Sequence, residues 1–305
     1  MSDNVLDIAK ALDTSSGTTG KILVPEVISA GIRMFVETRS PLYNMIERFT
    51  HDGYAYTYKE QNGLPTASYG AELGALPAAQ NATYAQRTVD IKSIYIRGEV
   101  SGQLIEASRT LEPVFEREIN SSALGMVRTI EQSLIAGDSS ANPNSIDGLE
   151  KWITRVVDAD TDATAGVTAG PLSLSLLEVL ADAAPGSRPT HYIMMTAMRR
   201  KLWSLLQSQV RFIDNFQSLD GGLQVPAYNG VPIVEMFDNN TLLATKILAP
   251  DMSMVYMPVL KELTYEELAH TRDSIDYFLK FYFTLVVEGA ARHHAKLINV
   301  SSTIA

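Results

Sequence analysis

Residues 112–138 read EPVFEREINSSALGMVRTIEQSLIAGD, and this stretch decides the fold. Phe115, Ile119, Ala123, Met126, Ile130 and Leu134 recur at steps of four, four, three, four and four, which lines one face of an α-helix. Pro113 suits the first turn, and Glu116 and Glu118 lie where the helix dipole favours negative charge. Gly137 is the stop. At ~1.5 Å per residue the spacing predicts a rod roughly 35–40 Å long, more than most globular helices need. Gly125 in its middle costs about 1 kcal/mol relative to Ala, so a close contact is expected there. Arg117, Arg128 and Glu131 are expected on a solvated face.

Working toward the N-terminus, the period changes. Tyr54, Tyr56 and Tyr58 alternate with smaller residues, a strand signature. A second strand is expected from about Val89 to Val100, with a phase slip near Ser93. Between them, Gln61 to Thr88 is rich in Gly, Ala, Pro and Asn and offers too little apolar surface to bury itself. So long a loop suits a compact domain poorly. It suits a two-stranded extension that packs outside its own subunit. Before it, Val27, Ile28, Ile32, Phe35 and Val36 predict a helix after Pro25, closed by Ser40-Pro41. Residues 1–24 read as an arm, with Asp13 to Gly20 as flexible linker.

Toward the C-terminus the pattern is α/β-like. A helix near Leu172–Ala183, a strand at His191–Met195 and a helix carrying Met198, Leu202, Leu205 and Leu206 follow one another. Tyr228-Asn229-Gly230-Val231 signals a tight strand pair, because Asn-Gly suits a two-residue hairpin turn. Ile247–Leu248 and Met254–Met257 read as further strands. Phe278–Val287 and Arg292–Val300 read as a β-hairpin turned at Glu288-Gly289.

Composition removes several chemistries. Of 305 residues none is Cys, which excludes disulfides, thiolate metal sites and Cys nucleophiles. The formal charge of −10 argues against a protein that grips nucleic acid. The most apolar run, Phe278–Val287, is interrupted by Lys280 and too short for a bilayer span of ~20 residues. No signal peptide is visible at Met1-Ser2-Asp3-Asn4, so a soluble cytoplasmic chain is expected. Asp158-Ala159-Asp160-Thr161-Asp162 resembles the start of a calcium loop, but Ala163 and Ala169 stand where Gly and Glu are required. Gly17-Thr18-Thr19-Gly20-Lys21 has the wrong glycine spacing for a phosphate loop. His293-His294, taken as strand residues, point to opposite faces and cannot share a metal. Arg199-Arg200-Lys201 reads as a solvated helix face. No catalytic, metal or cofactor residue is assigned.

The order of these pieces resembles the major capsid proteins of tailed bacteriophages, the HK97-like fold. The residues that carry the resemblance are Val24-Pro25-Glu26 before a helix closing on Ser40-Pro41-Leu42, the tyrosine strand opening a long loop, and the rod ending Leu134-Ile135-Ala136-Gly137-Asp138. Tyr228-Asn229-Gly230-Val231-Pro232-Ile233 and Glu288-Gly289-Ala290-Ala291-Arg292-His293-His294 complete the set. The resemblance implies an α+β fold with an A (axial) domain, a P (peripheral) domain carrying a long spine helix, an extended two-stranded E-loop and an N-terminal arm. The expected segments are 1–24 arm, 25–53 P-domain entry helix, 54–97 E-loop, 98–150 P domain with spine helix, 151–249 A domain, and 250–305 P-domain return with C-terminal hairpin.

The resemblance implies a structural protein, not an enzyme, that assembles with itself into hexamers and pentamers of an icosahedral head. That head would enclose double-stranded DNA without sequence-specific contacts, form in the host cytoplasm and persist in the virion, with no membrane. Scaffolding, portal, protease and decoration proteins are the separate partners it allows. Inter-subunit contacts are expected from Tyr54, Tyr56, Tyr58, Tyr69, Leu73, Leu76, Tyr84 and Arg97. Some relatives crosslink through a lysine near the loop tip; Gln61 to Thr88 holds none, so no such lock is expected. Two other readings remain open at this point: an encapsulin-type nanocompartment shell, and a soluble α+β enzyme with an unrecognised acidic site.

Overall fold

The computed structural model describes residues 41–69, 78–108, 114–159, 170–208, 216–218, 224–236, 243–268 and 273–301. The expected arm, the helix after Pro25 and the incomplete calcium loop from Asp160 onward lie outside them. The described residues fall into two compact units. One draws on the described residues within 41–47, 92–148 and 261–283, the other on those within 48–91, 149–260 and 284–301.

In the first unit, a helix forms over Val114–Ala136 (α3 after the short α1, Pro41–Met45, and α2, Gly102–Ser108). Ile119, Ala123, Met126, Ile130 and Leu134 are buried, as their spacing requires. Val127, Glu131 and Ile135 form a second buried row at i, i+4 spacing, so Glu131 belongs to the buried side and not to the solvated face expected for it. Arg117 and Arg128 are exposed. The helix packs on strand β4 (Lys92–Ser101), which pairs antiparallel over ten residues with β13 (Ser274–Phe283). The far side of β13 takes the Lys261–Glu267 half of β12 (Val255–Glu267).

Tyr277 organises this core. Its ring meets Phe115 edge-on, stacks on Tyr265 and donates or accepts a hydrogen bond with Ser122 Oγ at 2.9 Å. Gly98 lies directly opposite it in the β4–β13 register, and a Cβ at Gly98 would fall inside the ring. The close contact expected at Gly125 is not found, since a Cβ there would meet only Ile96 Cδ1, at 3.6 Å.

The second unit is built on a seven-stranded sheet, β5-β15-β11-β7-β10-β9-β8. These strands are β5 (Val156–Asp158), β7 (Tyr192–Met195), β8 (Phe216–Ser218), β9 (Gln224–Tyr228), β10 (Val231–Met236), β11 (Ile247–Ala249) and β15 (Ala295–Ile298). Central β7 is buried along its whole length, as a strand covered on both faces must be. After the short α4 (Leu149–Trp152), helices α5 (Leu174–Asp182) and α6 (Thr196–Ser208) supply Leu177, Leu180, Met198 and Leu202 to the same core. Ser173 caps α5 by accepting from the Leu176 N–H at 3.3 Å. The Asn229-Gly230 turn joins β9 to β10 with both residues at positive φ, 50° and 78°.

Three expectations are corrected here. The C-terminal hairpin does not form: β13 has β4 and β12 on its two edges, so β15 pairs instead with β11 and β5 in the other unit. The strand expected over Val89–Val100 is two strands broken at Ile91, whose N–H donates to Tyr54 O at 2.8 Å. The third concerns Arg199-Arg200-Lys201. Arg199 pairs with Glu235 and Lys201 is buried, leaving only Arg200 exposed.

The glycines yield opposite predictions. Gly125→Ala should raise stability by about 0.5–1 kcal/mol, because it removes backbone freedom from the unfolded chain without a clash. Gly98→Ala should lower it by about 1–3 kcal/mol through displacement of Tyr277. Urea denaturation of both variants checks the pair.

Candidate assembly surface

The second unit carries an antiparallel ribbon. Strands β2 (Ala55–Gly63) and β3 (Thr83–Asp90) pair from Ala55↔Asp90 to Gln61↔Tyr84, then shift register at Gly63↔Thr83. Beyond the bulge, Thr66 N–H donates to Gln80 Oε1 at 2.9 Å. The ribbon therefore ends at Asp90, not at Arg97, since Lys92–Ser101 is held by its ten-residue pairing with β13.

The base of the ribbon is aromatic. Tyr56 stacks on Tyr58 and meets Phe49 and His51 edge-on. Tyr58 is only 6% exposed, and burial with the nearby Glu60 charge pushes its hydroxyl up to about 12. Its ring is held inside the chain, which corrects the expectation of a contact to a neighbour. Tyr56 is half-buried by the same packing.

The remaining candidates differ in kind. Tyr54, Tyr69 and Tyr84 are exposed, Tyr69 completely, and Leu64 joins them at 71% exposure. Leu73 and Leu76 lie outside the described residues. Arg97 sits in the other unit, where its guanidinium donates to Asp276 at 2.7 Å with its side chain still mostly in solvent. The ribbon thus gathers Tyr54, Tyr69 and Tyr84 but not Arg97.

Two groups of residues escaped the sequence reading. Glu60 accepts from Arg87 Nε at 2.6 Å and from the Gly289 N–H at 2.9 Å. Opposite charges on facing strands were the available signal for Glu60 and Arg87; nothing local signalled Gly289. The other group is Ser187, Asp251, His293 and His294. Both histidines precede β15, His293 in a turn and His294 in the link to the strand, so the opposite-face argument made for strand residues does not apply. His294 Nδ1 accepts from the Asp251 N–H at 3.1 Å while its Nε2–H donates to Glu288 O at 2.9 Å. Ser187 Oγ donates to Asp251 Oδ2 at 2.7 Å and meets His293 Nδ1 at 3.0 Å. The serine stands between acid and imidazole, whereas an activated nucleophile needs the imidazole in the middle. Among the described residues no His, Asp or Glu group is arranged to hold a metal, and no helix is long and apolar enough to cross a membrane.

A family model for the SU10 major capsid protein matches residues 12–301. The chain belongs to that family. As a major capsid protein it has a structural role in the virion, and the fold agrees: solved phage capsid chains superpose over most of its length. A solved chain from Mycobacterium phage Bobi matches with TM-score 0.61 and 16% identity, covering 85% of this chain and 90% of that one. The cyanophage A-1(L) capsid asymmetric unit matches with TM-score 0.67 and 12% identity, covering 86% and 93%. The holo-SrpI encapsulin complex of Synechococcus elongatus matches with TM-score 0.60 and 14% identity, covering 88% and 90%. At these identities the superpositions speak to the HK97-like fold alone. No curated protein sequence matches the capsid protein.

His191, His294 and Asp251 should make the capsid protein less stable in acid. Burial holds His294 and His191 below their ordinary 6.5. Burial acts to raise the Asp251 carboxyl, but hydrogen bonds from Ser253 and Ser187 outweigh it and hold it below its ordinary 3.8. The unfolded chain therefore takes up protons first in both ranges. The stability these three groups contribute should be full above about pH 6.5, decline below it as the histidines charge in the unfolded chain, and decline again below about 3.8. Urea melts across this range check it, and His294→Gln should flatten the upper step.

Proposed function

We propose that this capsid protein assembles into pentamers and hexamers of an icosahedral shell enclosing double-stranded DNA, with the ribbon lying on a neighbouring copy. The observation that carries the reading is the exposure of Leu64, Tyr69 and Tyr84 on and just beyond a strand pair that gains no third strand among the described residues. Apolar side chains of this size are stabilised by roughly 1.5–3 kcal/mol each on burial, and a second copy supplies the missing surface. Rings arise from head-to-tail interfaces that close, and each further neighbour meets a subunit already held in place.

The unit containing α3 serves as the P domain with α3 as its spine, the seven-stranded sheet as the A domain, and β2–β3 as the E-loop. Net charge of −10 suits a wall that surrounds DNA without gripping it. Assembly in the host cytoplasm, with separate scaffolding, portal, protease or decoration proteins, is part of the same reading. The family match favours this over an encapsulin compartment, which shares the fold.

Deleting Leu64–Ala82 tests the proposal. The truncated chain should keep near-parental circular dichroism yet form no closed shells by negative-stain microscopy. Shells of normal size from it would refute the role given to the ribbon.

A further inference from the structure

Resting on that assembly role, we infer that Glu60 is a positioning residue: through the Gly289 N–H it bolts the base of the ribbon to a rigid turn and so sets the direction in which the ribbon is presented. The two Glu60 oxygens do different work. Oε2 accepts from Arg87, a bond internal to the ribbon, and Oε1 accepts from Gly289, 229 positions away. Only the second ties the ribbon to something else.

What it is tied to is well fixed. The Glu288 N–H donates to Met254 O at 2.9 Å, beside the pairing of β14 (Val286–Val287) with Val255 and Tyr256. Gly289 O accepts from the Arg292 and His293 N–H groups, and Arg292 O accepts from the Gly186 N–H at 2.9 Å. The His294 ring then spans Glu288 O and the Asp251 N–H. Gly289 has φ +64°, a conformation that other residues rarely adopt, and a Cβ there would strike the His293 ring. The turn therefore offers its free N–H from one geometry.

The ribbon side is equally specific. Tyr58, two residues from Glu60 and buried, has a hydroxyl with no hydrogen-bond partner among the described residues. Aromatic packing by Tyr58 and Tyr56 is permissive of sliding and rotation, whereas a charge-assisted hydrogen bond is directional. Glu60 supplies the direction that the rings do not.

Glu60→Ala and Arg87→Ala separate this from a role inside the ribbon, with parental protein and the Leu64–Ala82 deletion assembled in parallel. Glu60→Ala should melt within a few degrees of the parent, exchange its Gly289 amide faster, and give a yield of closed shells lower by about tenfold or more. Arg87→Ala leaves the Gly289 bond in place and should assemble within about twofold of the parent. Glu60→Gln retains an oxygen for Gly289 and should recover much of the lost yield. Parental yield from Glu60→Ala, equal losses from the two alanine variants, no recovery with Gln, or a Glu60→Ala chain that does not fold would each overturn the inference. Failure of the underlying reading looks different: the parent forms no shells, or the deletion does.

Discussion

An antiparallel strand pair has one hydrogen-bonded seam, two open edges and two faces, and it cannot cover them itself. Isolated two-stranded ribbons are marginal in water for that reason. Among the described residues the constraint is met at one end only. Phe49, His51, Tyr56 and Tyr58 pack the base of the ribbon, and the Glu60–Gly289 bond pins it. Beyond the bulge at Gly63, Leu64 and Tyr69 have no such cover. The assembly proposed above follows from that asymmetry: the ribbon is anchored within its own chain, and a second copy is proposed to complete it.

Each compact unit satisfies itself by different means. In one, a 23-residue helix lies on a sheet whose centre is Tyr277, held by ring contacts on two sides and seated over Gly98. In the other, a parallel β7–β10 pair is covered by α5 and α6, and β15, late in the chain, is inserted between β5 and β11. The turn leading into β15 draws Asp251, Ser187 and Gly186 together through backbone and histidine hydrogen bonds. Polar groups placed there hold the turn.

The helix over Val114–Ala136 was legible because its apolar period is sustained and its ends are marked. The Asn229-Gly230 turn was legible because positive φ at two consecutive positions restricts residue choice. The ribbon was legible from its tyrosines and from the poverty of apolar residues between them. Strand partnership was not. Phe278–Val287 and Arg292–Val300 are adjacent in sequence and look like a hairpin, yet which edges are already occupied is a tertiary fact. The burial of Glu131 and Lys201 escaped for a related reason, because one charged residue inside a widened apolar face carries no local mark. The Glu60–Gly289 bond joins residues too far apart for any local pattern to signal.

The most direct measurement is the structure of the assembled particle by single-particle electron cryomicroscopy, at a resolution that shows aromatic side chains. The account predicts Leu64, Tyr69 and Tyr84 packed against an adjacent subunit, with the Glu60–Gly289 bond intact in every copy. A shell in which these side chains remain in solvent, or fold back onto their own chain, would contradict it.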